Sequence, residues 1–238
     1  MSTRHASPQA HNLLFSSLLP KDLALLVPHF KDVVVEQGVM LQEAGDPIEL
    51  VYFPQSGMIS LLAVMRAGNG IETATIGREG AVGALSGLGA RIAVGRAVQQ
   101  IAGVSSRIAV SRFSDAVNES PGIRDLIIRY SDIQMSLVHQ SAGCNALHPV
   151  AARLCRWLLQ TRDRSDSDRL ALTQEFLSEM LGVHRTTVTV LARELHALGL
   201  IDYRRGRIEI INRSGLEKKA CECYATVRRK TDEFYVRN

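Results

Sequence analysis

Between residues 33 and 110 the apolar positions fall in short runs rich in β-branched side chains: 33–35, 40–41, 50–53, 58–65, 71–76, 97–101 and 104–110. Gly38, the Gly45-Asp46 pair, Pro54, Gly57, Gly68, Gly70, Gly77 and Gly80 separate them, a texture that predicts many short strands wound into a β-roll or jelly roll. Ahead of it, paired leucines around Pro20 in 13–30 predict two short helices, and 1–12 read as a polar arm. After it the period changes to that of a helix. Ser120-Pro121-Gly122 separates a short helix, 111–119, from a long one in which Ile123, Tyr130, Leu137 and Cys144 recur every seven residues, with Leu126, Ile133, Gln140 and Leu147 between them. Such a stripe serves either to pack the helix on the chain's own roll or to pair it with a second copy. Beyond Pro149 a helix over 151–159 turns Leu154, Trp157 and Leu158 inward, 162–169 form a charged connector, and the tail from Ser214 is helical to about Lys230.

The stretch 172–201 carries two helical periods around a turn. Thr173 suits an N-cap, Phe176, Leu177, Met180 and Leu181 form one apolar face, and Gly182 accepts a left-handed backbone. Val188, Leu191, Ala192 and Leu195 form a second face, opposite Arg185, Thr186, Thr189 and Arg193. An ordinary helical hairpin shows the same periodicity. The following residues favour a DNA reader: apolar runs 200–203 and 207–211 flank Arg204, Arg205 and Gly206, as in a hairpin with a basic tip, with Arg207 beside it. The candidate DNA contacts are Thr173, His184, Arg185, Thr186, Thr187, Thr189, Arg193, Arg204, Arg205 and Arg207.

The segment TQEFLSEMLGVHRTTVTVLARELHALGLIDYRRGRIEI resembles the winged helix-turn-helix of the Crp/Fnr family of bacterial transcription regulators, and the likeness continues, more weakly, over nearly the whole chain. The resemblance implies an α+β architecture. It comprises a β-roll (jelly-roll, cyclic-nucleotide-binding-like) sensor over 1–110, a dimerisation helix region over 111–148, and a winged helix-turn-helix with a C-terminal helix over 149–238. It implies a homodimer, double-stranded DNA as partner, and RNA polymerase as a further partner. With half-sites read by two-fold dimers, it assigns Ile123, Leu126, Tyr130, Ile133, Leu137, Gln140 and Cys144 to the dimer interface. Arg185 matches a family arginine that reads guanine, whereas Thr186 and Val190 stand where the cyclic-AMP receptor protein has Glu and Arg, which implies a different half-site. In cyclic-nucleotide-binding relatives a Gly-Glu-Leu turn takes the ribose hydroxyl and an Arg-Ser/Ala pair takes the phosphate. Gly83-Ala84-Leu85 and Arg96-Ala97 match these, so the effector pocket lacks its Glu unless Glu79 substitutes. Arg96 reads equally as an anion ligand or as an arginine paired within the fold.

Charge supports this division. Residues 1–148 hold 11 Lys/Arg against 12 Asp/Glu and 149–238 hold 17 against 12, so the basic excess lies in the half with the helix-turn-helix. No apolar run spans a bilayer and the start has no signal-peptide core, so a cytoplasmic location is expected. None of the seven His lies in the predicted strands, which excludes a cupin-type metalloenzyme, and neither a phosphate-binding loop nor a nucleophile elbow is present, so no enzyme is expected. Cys144, Cys155, Cys221 and Cys223 read as scattered free thiols without cofactor or metal; Cys221 and Cys223, two apart on one helix, would point away from each other. The family's oxygen-sensing branch uses N-terminal cysteines, absent here, and His29 and Cys144 are only nominal haem ligands. The alternative function is a ligand-binding sensor that signals through protein partners without specific DNA binding.

Overall fold

The computed structural model describes residues 12–165, 167–204 and 206–236. Helices α1 (Leu13–Ser16) and α2 (Pro20–Leu23) and a 3-10 turn at Val27–His29 precede the strands. Asn12, read from the sequence as part of a polar arm, is buried: its amide donates to the carbonyls of Pro54 and Gly80, and its Oδ1 accepts from the Leu14 N–H. The strands β1 (Lys31–Val35), β2 (Met40–Gln42), β3 (Leu50–Pro54), β4 (Met58–Val64), β5 (Gly70–Ile76), β6 (Arg96–Ile101) and β7 (Gly103–Ala109) follow the predicted runs within one or two residues. They pair antiparallel in two sheets, β1-β7-β3 and β2-β6-β4-β5.

β4 lacks the alternation of a one-faced strand because both its faces are covered. Ile59 and Leu61 face the roll interior with Tyr52, Ile76 and Ala97, whereas Met58 and Leu62 join the core of the C-terminal part around Trp157 and Leu158. The same junction buries Glu72 of β5. It accepts from the Ser60 hydroxyl at 2.5 Å and from Trp157 Nε1 at 2.9 Å.

Helix α3 (Val110–Glu119) leads to α4 (Pro121–Leu147), where Ser120 Oγ accepts from the Ile123 N–H and donates to buried Asp22. The first half of the heptad stripe faces inward, which corrects the dimer assignment for Ile123, Leu126 and Tyr130. Ile123, Leu126 and Tyr130 are buried in the roll's own core with Phe53 and Phe113, and Ile133 packs against it. The Tyr130 hydroxyl donates to the carbonyl of Ala81 and accepts from its N–H, a pairing that fixes this face of α4 on the roll. Leu137 lines a crevice with Ala74, Ile76 and Phe234, and Gln140 and Cys144 face the last helix. The outer face instead exposes Ile128, Met135 and Ala142 at the same seven-residue spacing.

Helix α5 (Val150–Ser165) runs one and a half turns past its predicted end, so 162–169 is not a loose connector. Arg164 pairs with Glu79 of the roll at 2.6 Å, and Asp163 is held by Arg213 and Tyr224. A short strand, β8 (Arg169–Ala171), precedes α6 (Gln174–Leu181), α7 (Arg185–Ala197), β9 (Ile201–Arg204) and β10 (Arg207–Ile210), and the sheet order is β8-β10-β9. The predicted tail helix is broken into α8 (Arg213–Lys219) and α9 (Cys223–Val236), with Ala220 extended at the break. The break corrects the geometry expected for the cysteines. Cys221 and Cys223 do not share a helix face, and both meet Cys144 in a small buried cluster, while Cys155 lies in the larger core.

Candidate nucleic-acid interface

Local sequence sets the shape of the 173–197 motif. Thr173 Oγ1 accepts from the Phe176 N–H at 3.2 Å, satisfying an orphan donor of the first turn of α6. Gly182 ends that helix at φ 64°, ψ 41°, a conformation costly for a side chain, and its N–H closes on the carbonyls of Glu179 and Ser178. Leu177, Met180 and Leu181 of α6 and Val188, Ala192 and Leu195 of α7 are buried together, so the angle between the helices is set by packing.

That packing leaves Arg185, Thr186 and Arg193 exposed on α7, with His184 exposed at its cap. Thr187 and Thr189 are half-buried. The Thr189 hydroxyl lies 2.8 Å from Gln174 Oε1 and 3.0 Å from the Arg185 carbonyl, so it is engaged inside the motif and presents less to a partner than its place in the sequence suggests. Gln174, which ties the two helices in this way, is not among the residues the sequence singles out; its one signal is its position directly after the cap. The wing stands next to this face. The N–H of Leu172 donates to the Gly206 carbonyl at 2.9 Å, which fastens the hairpin tip to the entry of α6. Arg207 is exposed, Arg204 is exposed but already paired with Asp202 at 3.1 Å, and Arg205 lies outside the described residues. Burial pushes the Tyr203 phenol of β9 up while Arg185 pulls it down, which puts the wing within electrostatic reach of the first residue of α7.

Residues 152–219, enclosing this motif and wing, match the family model of the Crp-like helix-turn-helix domain. That stretch is a Crp-like helix-turn-helix domain. The chain's fold is that of a Crp/Fnr-family transcriptional regulator of Thermus thermophilus, at 19% identity over 80% of this chain and 98% of that one, with a TM-score of 0.66. It is also that of the c-di-GMP-responsive global regulator CLP of Xanthomonas campestris, at 16% identity over 80% and 98%, TM-score 0.65. FixK2 of Bradyrhizobium japonicum shares it at 14% identity over 81% and 98%, TM-score 0.65. No curated protein matches the chain by sequence. The matched domain is of a DNA-binding kind, and among the chain's described residues no helix is long and apolar enough to cross a membrane.

The effector residues expected in the roll are not assembled into one pocket. Arg96 donates from Nε to both oxygens of Glu43, at 2.9 and 3.2 Å, and its Nη2 lies 2.7 Å from the same carboxylate. Of its two readings, the paired arginine is the one found. Glu79 is taken by Arg164, and it also accepts from the Gly77 N–H. Ala84 and Ala97 are buried; Gly83, at φ 80°, starts a short 3-10 turn on which Leu85 is exposed. A cleft of about 410 Å³ does open on the roll, but Glu43, Asp46 and Glu49 line it and no lysine or arginine does. With Glu43 neutralised by Arg96, Asp46 and Glu49 leave the cleft acidic, which opposes a cyclic phosphate.

Proposed function

We propose that the chain regulates transcription as a homodimer that places α7 in the major groove of double-stranded DNA. In this reading 1–110 form the sensor, 111–148 the dimerising region and 149–238 the reader. One observation carries it: Arg185, Thr186 and Arg193 stand exposed on one side of α7, whose other side is locked in the core, with Arg207 of the wing beside them. Arg185 reads a guanine through O6 and N7, while Thr173, Arg204 and Arg207 touch backbone phosphates. The Thr173 hydroxyl proton is free for this because the oxygen, and not the proton, serves the cap.

The dimer forms through the outer face of α4, along Ile128, Met135 and Ala142, because the inner stripe is taken up by the roll as far as Ile133 and faces the last helix beyond it. Cyclic AMP is not the effector, since the Arg96 charge is met by Glu43 and Ala84 offers no acceptor to a ribose hydroxyl. The test is selection of bound duplexes from a random pool by the purified chain, followed by footprinting. Enrichment of a two-fold-symmetric element with protected major-groove guanines is expected. Failure to enrich any sequence would remove the reading and favour a sensor that works through protein partners.

A further inference from the structure

Four side chains that the DNA-reading face does not use converge where the long helix hands over to the C-terminal domain. Cys144 and His148 lie one turn apart at the end of α4, and Cys221 and Cys223 lie at the break between α8 and α9. A sulfur from each cysteine and a ring nitrogen of His148 are all within 4.8 Å of one another. Cys144 Sγ is 3.5 Å from Cys221 Sγ, and Cys223 Sγ is 3.5 Å from His148 Nδ1. A tetrahedron of three sulfurs and one nitrogen at zinc bond lengths of about 2.3 and 2.0–2.1 Å has edges of roughly 3.5–3.8 Å. The two short pairs already match two of those edges. A disulfide between Cys144 and Cys221 would leave Cys223 and His148 without a purpose, and an iron–sulfur cluster would hold its cysteines further apart.

Two features around the cluster point the same way. Arg153 and Arg156 on α5 are more than nine-tenths buried, neither has an ion-pair partner among the described residues, and the Nε of each has no hydrogen-bond partner. Arg156 acts electrostatically on both Cys144 and Cys221, and Cys144 acts on Arg153. Arg156 also shares a crevice with Glu72, but Arg153 has no carboxylate beside it among the described residues, and Zn²⁺ held by three thiolates and a neutral imidazole would bring a net charge of −1 to these guanidiniums. The outer contacts also suit a ligated metal. His148 turns Nδ1 to the cysteines and leaves Nε2 on the outer side, 3.9 Å from Glu222, where an acceptor for the ring N–H of a zinc-bound histidine would sit. Gln140 Nε2 donates to Cys223 Sγ at 3.1 Å.

We infer that Cys144, Cys221 and Cys223 through Sγ, and His148 through Nδ1, form a tetrahedral zinc site that clamps the end of α4 to the α8–α9 turn. On binding, three thiol protons leave to solvent and no electron is transferred. The site stands apart from the DNA-binding reading, and its test involves no DNA. The full chain purified under reducing conditions should contain about one zinc per chain by elemental mass spectrometry. Replacement by Co²⁺ should give the intense visible bands of tetrahedral cobalt with sulfur-to-cobalt charge transfer. His148→Gln should shift the visible bands, Cys223→Ser should lower the charge-transfer absorption, and Cys155→Ser should change neither. Should either ligand variant fold poorly, competition of the unaltered chain against a chromogenic chelator decides the same question. Zinc that resists the chelator, with all three thiols protected from alkylation until it is stripped, supports the site. A reduced chain with no stoichiometric zinc and no tetrahedral cobalt spectrum overturns it, as does iron with acid-labile sulfide or a Cys144–Cys221 disulfide in its place.

Discussion

Replacing Arg185 with alanine separates base reading from phosphate contact, because the side chain does little for the fold. It is exposed at the first position of α7, and among the described residues its guanidinium has no hydrogen bond or ion pair. A cation at a helix N-terminus also opposes the dipole, so its loss should shift folding stability by no more than about 0.5 kcal/mol. A bidentate contact to guanine contributes about 1–3 kcal/mol of discrimination, so Arg185→Ala should weaken the selected operator roughly 5- to 150-fold while changing affinity for a scrambled duplex little. The assay is fluorescence anisotropy on both duplexes at two salt concentrations, with a thermal melt of each protein. Equal losses on operator and scrambled DNA would refute base reading and make Arg185 a phosphate contact. A large fall in melting temperature would show that the residue serves the fold.

For the wing, Arg207→Ala should lower the slope of log affinity against log salt by about 0.9, whereas Arg204→Ala should lower it less because Asp202 already holds that arginine; unchanged slopes in both would remove the wing from the interface. For the dimer, Met135→Asp should sediment as a folded monomer, and Leu126→Asp should fail to fold because it puts a charge into the roll's core; a dimeric Met135→Asp chain would exclude the outer face of α4. Calorimetry should show weak or no binding of cyclic AMP, and micromolar binding that raises operator affinity would overturn the roles given to Arg96 and Ala84. Burial raises the Glu72 pKa above the usual carboxylate value, so the folded state favours its protonated form and stability falls as pH rises from that value through the raised pKa. Glu72→Gln keeps an acceptor for Trp157 and a donor for Ser60, and its melting temperature should drop less between pH 5 and pH 8 than that of the parent chain; identical drops would place the titration elsewhere.

Strand and helix placement was legible because each depends on a local period. The strands of the roll, the cap at Thr173, the stop at Gly182 and the paired faces of α6 and α7 all follow from residues within a few positions of one another. What stayed hidden depends on partners far along the chain. The stripe from Ile123 to Cys144 has the same period whether its cover is a second copy or the chain itself; Tyr130 is met by Ala81 of the roll and Cys144 by Cys221, 49 and 77 residues away. Arg96 beside Glu43 and Glu79 beside Arg164 are pairings 53 and 85 residues apart, which no alignment of short motifs reveals. The cysteine cluster was hidden for a similar reason. Cys144 and Cys221 are 77 residues apart, and the helix break that turns Cys221 and Cys223 together comes without a proline or glycine to announce it.

The short loop around Glu79 is gripped from three directions. Arg164 of α5 holds its carboxylate, Tyr235 of α9 donates to its carbonyl at 2.5 Å, and Tyr130 of α4 is bonded to Ala81 two residues on. Those helices lie before, at the entrance to and at the far end of the DNA-reading domain, so the domain is moored to the roll at both of its ends. Together with the core that Met58 and Leu62 share with Trp157 and Leu158, this makes the loop one of several ties between roll and reader, and the one at which three helices meet.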